Sequence, residues 1–563
     1  MGERIMSASA EAMSATGSSG AGQGAMSANW GASLGLANIW VAMIAFAAAA
    51  ILGLYQVAER AGFALNSPEL YFGSVSTHGV LMGFVLTTFV VVGFGYYSAT
   101  TSLKMDVWNK PLAWLGFWLS LIGVVIAAIP LLTGNASVLF TFYPPLQAHP
   151  AFYIGATLLV VGSWVWCLEM GMMMAVWKKA NPGETVPLIM YGNVANAIMW
   201  FICSLGVALE VLFQLIPWSL GWIDTVDVGL ARTLFSWTLH AIVYFWLFPA
   251  YLAFYTMVPK AAGGYLFSDH VARVAFIMLL VFSVPIGFHH LYMDPFQAAG
   301  WKFLHMTGTM MVAVPTLITG FTVWASLEIA GRLRGGTGLF GWLGKLPYNN
   351  PMVLAAVLGM VMLLFGGFGG MINASYSMNV MVHNTQWVTG HFHLIFGGTV
   401  VIMYFAIAYY LWPKMTGKQL YSNGAALTQL WLWFIGMMVL TMPWHLIGIL
   451  GQPRRISSTP YDEEFVQSWM TSELLMILGG VILVISALML VYNLVRTQTN
   501  SVAVDNPEVE YAESLHSNAR MPHLMNSFGF WIAIVVVYMI ASYGYPILQF
   551  FLMETFGALP WSI

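Results

Sequence analysis

With 563 residues, 59% of them hydrophobic and only 7% charged, most of this chain cannot face water, which excludes an ordinary soluble enzyme and makes it an integral membrane protein. A net charge of -3, thinly spread, implies neither nucleic acid nor an acidic substrate. The two cysteines, Cys167 and Cys203, fall inside apolar segments without a CxxC spacing, so they read as packing residues and not as a metal cluster or disulfide framework.

The chain opens with about 32 residues rich in Ser, Ala and Gly ("SASAEAMSATGSSGAGQGAMSA"); they predict a disordered cytoplasmic tail with no signal-peptide core. Residues 33–563 then form one transmembrane domain. Crossing ~30 Å of hydrocarbon as a helix takes about 20 apolar residues. Thirteen stretches qualify, near 33–57, 69–98, 110–132, 151–178, 187–215, 230–258, 272–291, 303–330, 350–372, 385–413, 426–450, 468–496 and 526–553. The expected fold is all-α, a bundle of about 13 transmembrane helices. Of the 19 Lys and Arg residues, only Arg60, Arg232, Lys302, Arg454 and Arg455 fall on one side of the spans. The excess on the other side predicts a cytoplasmic N-terminus and an outer C-terminus.

Polar side chains interrupt these spans in a pattern. His78 lies in the second and His240 in the sixth, while His289 and His290 end the seventh and His391 and His393 begin the tenth. A lone membrane histidine is often a core side chain bonded to a carbonyl, but ionisable groups in a bilayer are costly and mark functional candidates. With the orientation above, all six fall in the outer third of the membrane, and scattered packing residues would not share a layer. Residues two apart on a helix diverge by ~200°, so His391 and His393 must serve different centres. Neutral imidazole suits iron and copper, and two axial histidines from facing helices can hold a heme. His78 is the natural partner for one of the pair, and the other would bind a heme from one side only. His240, His289 and His290 remain as ligands for a metal facing that open side; three imidazoles without thiolate favour copper or zinc. Tyr244, one turn after His240 and on its face, could donate a proton or an electron there, or simply pack.

The motifs "STHGVLMGF", "HAIVYFWLFPAY", "GFHHLYMDP" and "HNTQWVTGHFH", supported by "AGRLRGGTGLFGW" and "QPRR", resemble the successive ligand motifs of subunit I of the heme-copper oxidases, and most of all the B class of cytochrome c oxidases, from about residue 35 to the end. The resemblance implies a low-spin heme b between His78 and His393, a high-spin a-type heme on His391, and copper B on His240, His289 and His290, with Tyr244 covalently joined to His240. It also implies that Arg454, Arg455 and His383 pair with heme propionates. The activity it implies is reduction of O2 to water coupled to proton translocation in a prokaryotic inner membrane. The implied partners are a second subunit carrying a dinuclear copper centre and cytochrome c or a similar donor, and a small membrane subunit is compatible. Two positions depart from the family pattern. Leu239-His240-Ala241 stands where Gly-His-Pro is usual, and Asn379 replaces an aspartate near the propionates.

A proton lane is legible as hydroxyls. Tyr251 and Tyr255 follow Tyr244 along one face of the sixth span, Thr316, Thr319 and Thr322 descend the eighth, and Ser268 sits in the loop between the sixth and seventh. They match the single K-type pathway of B-class enzymes; hydroxyls bonded back to their own helices would give the same sequence. Glu169 and Glu210 are expected to pair structurally. A nitric oxide reductase would share the six histidines but usually adds glutamates at the site, and none lies within a turn of the trio. A secondary transporter, the reading from another class, would use the same residues without metals.

Overall fold

The computed structural model describes residues 30–63, 67–516 and 521–552. The tail expected over residues 1–32 lies outside them except for Trp30 to Ala32, which already belong to the first helix.

The spans are α1 (Trp30–Arg60), α2 (Pro68–Leu103), α3 (Lys110–Leu132), α4 (Pro150–Ala180), α5 (Leu188–Ser219), α6 (Val228–Ala261), α7 (Asp269–Ser283), α8 (Ala299–Leu333), α9 (Pro351–Ala374), α10 (Gln386–Thr416), α11 (Asn423–Ile449), α12 (Glu464–Gln498) and α13 (Gly529–Leu552). All but α7 are long and apolar enough to cross a membrane, twelve in all among the described residues. The expected all-α bundle is therefore present, and the chain is a multi-pass membrane protein. The exception is the seventh segment. It is helical for only 15 residues and then unwinds through Val284–Gly287 into a single 3₁₀ turn, Phe288–His290. Irregular backbone at such depth is tolerated only where protein covers it, and Val284, Ile286 and Phe288 are fully buried.

Burial separates inner helices from outer ones. In α2, α6 and α10 the most apolar window is 83, 89 and 83% buried, against 33% in α12 and 28% in α13. The three long spans that carry histidines of the shared layer are thus the core of the bundle, and lipid-facing apolar residues lie on the periphery. Close approach on that periphery uses small residues. A methyl group on Gly123 of α3 or Gly155 of α4 would collide with the other's carbonyl.

Local signals set the histidine-bearing helices. Asp227 caps α6 by accepting from Leu230 N at 2.9 Å, and Thr385 caps α10 through Trp387 N at 3.3 Å. Pro249, inside α6, supplies no N–H to Phe245 O; Asn196 Nδ2 occupies that carbonyl at 3.2 Å. Both α2 and α10 widen into π-helix shortly after their histidines, over Leu81–Leu86 and Leu394–Val400, the irregularity often found beside functional sites.

A candidate two-centre metal site

His78 of α2 and His393 of α10 face each other with ring centroids 6.3 Å apart and planes only 19° from parallel. Each Nδ1 is bonded to a main-chain carbonyl, His78 to Ala49 O at 2.8 Å and His393 to Thr389 O at 2.8 Å. The Nδ1–H tautomer that makes these bonds leaves Nε2 with a free lone pair, the arrangement of a metal ligand held by its other nitrogen. A metal midway, with bonds of about 2 Å to each imidazole, needs a spacing of this size. The pair therefore fits a bis-imidazole heme iron.

His391 is held apart from that pair. Its Nδ1 bonds to Gly366 O of α9 at 3.0 Å, and Gly369 and Gly370 leave it room, since a Cβ on either would crowd its ring. Across from it, the ligand atoms of His240, His289 and His290 lie within 4.8 Å of one another, and His391 is near enough to all three to interact with them electrostatically. Neighbours on an α-helix diverge by ~100°. The unwound backbone instead brings the His289 and His290 rings to 4.2 Å, with His240 at 4.3 and 6.1 Å from them. His240 Nε2 is buried with no protein partner, and His289 Nδ1 is engaged by Thr309 Oγ1 at 3.1 Å. No carboxylate or thiolate of the described residues joins this group. An orphaned imidazole nitrogen in a three-nitrogen cluster fits copper or zinc. The Tyr244 ring packs against His240 with centroids 5.0 Å apart.

His305 and Thr309 hold the trio from behind. His305 of α8 accepts from Gly287 N at 3.1 Å and Phe288 N at 3.4 Å, bonds Ser542 O at 3.1 Å through Nε2, and stacks on Phe288 at 3.8 Å. The chain just before the adjacent histidines is thereby fixed to α8 and α13. Neither His305 nor Thr309 was singled out by sequence. The one available signal was their spacing, Thr309 lying one turn after His305 on a span next to the trio.

Arg454, Arg455 and His383 come together at the histidine-bearing end, joined by Arg232, whose guanidinium lies 4.8 Å over the Tyr143 ring and 3.0 Å from Asp294. Arg454 Nε and Arg232 Nε are buried without acceptors. Burial and the neighbouring Arg455 push Arg454 down to about 9, and burial with Arg454 nearby pushes His383 down to about 4. Arg232 has Asp294 as its counter-ion, but the adjacent Arg454 and Arg455, with the Arg454 Nε–H unmet, fit an anionic ligand such as a propionate carboxylate.

The hydroxyls expected along the lane are partly joined. Tyr255 OH and Thr319 Oγ1 are 2.6 Å apart, and Tyr251 OH donates to Thr316 Oγ1 at 3.4 Å. All three threonines also donate to their own helix, Thr316 to Val312 O, Thr319 to Pro315 O and Thr322 to Ile318 O, and Ser268 caps α7 by accepting from Val271 N at 3.4 Å. Ser326, one turn beyond Thr322, accepts from Phe267 N at 2.9 Å and ties that loop to α8.

The remaining expectations divide. Glu169 accepts from Asn109 N at 3.3 Å and so braces the start of α3, a structural pairing. Glu210 is fully buried and neither carboxylate oxygen has a partner, so the pairing expected of it is absent among the described residues; Gln214, one turn on in α5, also leaves its Nε2 unpartnered. Ala241, in place of proline, leaves α6 helical through the first ligand. Asn379 donates to Asn373 O at 2.7 Å and meets His383 Nδ1 at 3.2 Å, so a neutral amide occupies the aspartate's position.

Comparison with known proteins agrees with this geometry. The family model for cytochrome c and quinol oxidase polypeptide I matches residues 33–482. Cytochrome c oxidase subunit 1 of Thermus thermophilus is 41% identical over 490 residues, covering 86% of this chain and 87% of that protein; the Thermostichus vulcanus subunit 1 is 26% identical over 81% and 82%. A heme-copper terminal oxidase dimer solved by cryo-EM superposes with a TM-score of 0.88 at 35% identity, covering 92% of this chain and 93% of that one. These similarities leave no room for the transporter reading: the chain belongs to the cytochrome c and quinol oxidase polypeptide I family, the catalytic subunits of heme-copper oxidases.

Proposed function

We propose that this chain is the catalytic subunit of a B-class cytochrome c oxidase in which His78 and His393 hold a low-spin heme b, His391 holds a high-spin a-type heme, and His240, His289 and His290 hold copper B. When bound, the heme iron and copper would supply electrons for the four-electron reduction of O2 to water. The observation that carries the reading is the three-imidazole cluster, which no carboxylate of the described residues joins, with a separately anchored His391 nearby. The absence of an acidic ligand is what favours the oxidase over a nitric oxide reductase.

The chain's own residues have distinct tasks. Carbonyl bonds at Nδ1 hold His78, His391 and His393 in one tautomer and orientation, and Thr309 does the same for His289. Tyr244 stands beside His240, where its phenol is placed to donate a proton and an electron. Tyr251, Tyr255, Thr316 and Thr319 carry protons toward it, with bound water bridging the gap from Tyr251 to Tyr244; Thr322 and Ser268 belong to the entrance. Arg454, Arg455 and His383 bind the propionates. The histidine layer lies toward the outside and the N-terminus in the cytoplasm, and a second subunit with a dinuclear copper centre delivers electrons from cytochrome c.

Copper and iron analysis of the purified complex, together with a reduced-minus-oxidised spectrum, tests the reading. Two hemes and one copper on this chain are expected. Iron in place of the copper would turn the assignment toward the reductase.

A further inference from the structure

Gln452 stands just before the two arginines in "QPRR" and is completely buried. Its side chain closes a three-residue network between distant helices. Arg60 Nη2, at the end of α1, donates to Gln452 Oε1 at 2.9 Å. Gln452 Nε2 donates to Glu473 Oε1, in α12, at 2.6 Å. Arg60 and Glu473 are themselves 3.5 Å apart, with side chains 6 and 0% exposed. A buried ion pair is a poor source of stability, because desolvating both charges costs about what their attraction returns. What it supplies here is a fixed point, since an amide bridging a cation and an anion has one orientation and one place.

The backbone of the same residue is tied to the metal layer. Gln386 N, at the start of α10, donates to Gln452 O at 2.9 Å, and Gln386 Nε2 donates to Pro453 O at 3.2 Å. One residue on, Arg454 N donates to Asn384 O at 2.9 Å, and Arg454 Nη2 to Asn384 Oδ1 at 3.3 Å. Asn384 and Arg455 both have left-handed backbones, φ 57° and 63°, a conformation that side-chain-bearing residues keep only when their surroundings over-determine it. α10 runs from Gln386 directly to His393. α11 runs into the same loop from the other direction, and its Trp444 lies 4.8 Å from the His393 ring.

We propose that Gln452 is a positioning residue for the low-spin centre. Anchored between Arg60 and Glu473, it sets where Arg454 and Arg455 stand, and through them the reduction potential of the heme held by His78 and His393. This rests on the reading of the two arginines as propionate partners. Positive charge held near a heme disfavours its ferric state and so raises the potential; a loop released from its anchor lets the guanidinium groups move into solvent, where they are screened.

The test is a redox titration of the low-spin heme band in the intact, metal-loaded complex. Gln452→Met removes both hydrogen bonds at similar length and unchanged charge. Gln452→Asn keeps the amide but is too short to reach both partners. Arg454→Gln removes one guanidinium directly. All three are expected to keep the bis-imidazole spectrum and to shift the midpoint to more negative values. If Arg454→Gln shifts it and both Gln452 variants titrate as the unmutated protein does, the positioning inference falls and the propionate reading stands. An unmoved midpoint in Arg454→Gln overturns the reading beneath it. Failure of both Gln452 variants to acquire heme would also overturn the inference, because the residue would then be a requirement of assembly and not of placement.

Discussion

A single intervening phenylalanine lets His391 and His393 look opposite ways, and each ring is then locked by a different carbonyl, Gly366 O for one and Thr389 O for the other. If they serve separate centres, their losses separate spectroscopically. His393→Ala should remove the low-spin signal and spare CO binding, and His391→Ala the reverse; loss of both signals from either change, in protein that still folds, would merge the centres. Behind the proposed copper ligands, Thr309→Val keeps the shape but drops the bond to His289 Nδ1. Removal of such outer-shell partners typically costs about 10- to 100-fold in metal affinity, so copper should be stripped by correspondingly weaker chelation while heme content holds. Tyr244→Phe should retain all metals and lower oxygen reduction by at least about 100-fold, the low end of what a positioned proton donor contributes; normal turnover would return the ring to a packing role. The histidines were legible because an imidazole in an apolar span is conspicuous. Thr309, Arg232 and Gln452 were not, because each acquires its role from a residue at least 20 positions away in sequence.

At the scale of elements, hydropathy and length located the spans well, since crossing hydrocarbon constrains both. They misjudged the seventh. Apart from Arg273, Ser283 and the two histidines, residues 272–291 are apolar, so hydropathy runs past the end of α7 at Ser283, although Pro285 and Gly287 just beyond it are helix breakers. The freed backbone is held by His305, and unwinding is what brings the rings of two consecutive histidines to 4.2 Å of each other. Gly287 is the tight point, because a Cβ there would run into Ser236 O of α6 and the Tyr543 hydroxyl of α13. Gly287→Ala should therefore push the histidine pair away from His240 and lower copper per iron, with the His78–His393 spectrum intact because α2 and α10 are untouched. Elemental analysis with unchanged copper would show that the turn has slack. A similar limit applied to the lane, where periodicity put Thr322 on the right face of α8 but could not tell a relay from a hydroxyl bonded to its own helix.

For the molecule as a whole, the metals and the proposed source of protons lie at different depths, and the lane must join them through the most buried part of the bundle. From Tyr255 to Tyr244 is ~16 Å of helix at ~1.5 Å per residue, too far for one proton transfer. The joints are unequal: Tyr255 and Thr319 are in hydrogen-bond contact at 2.6 Å, whereas Tyr251 and Thr316 are at 3.4 Å. The tighter pair is the one whose loss should matter more. Thr319→Val preserves packing and leaves the Tyr255 hydroxyl without its acceptor in a site that is 0% exposed, so heme content should survive while proton uptake slows. Thr319 and Thr322 both donate to their own helix, but only Thr319 is also bonded to Tyr255, so Thr322→Val should slow uptake less. The measurement is proton uptake in reconstituted vesicles during a single turnover with oxygen, recorded on each side of the membrane. Uptake should come from the side opposite the histidine layer and follow the order unmutated, Thr322→Val, Thr319→Val from fastest to slowest. Equal rates in Thr319→Val, Tyr255→Phe and the unmutated protein would reduce the lane to helix packing, and uptake from the histidine-bearing side would reverse the orientation on which the proposed direction depends.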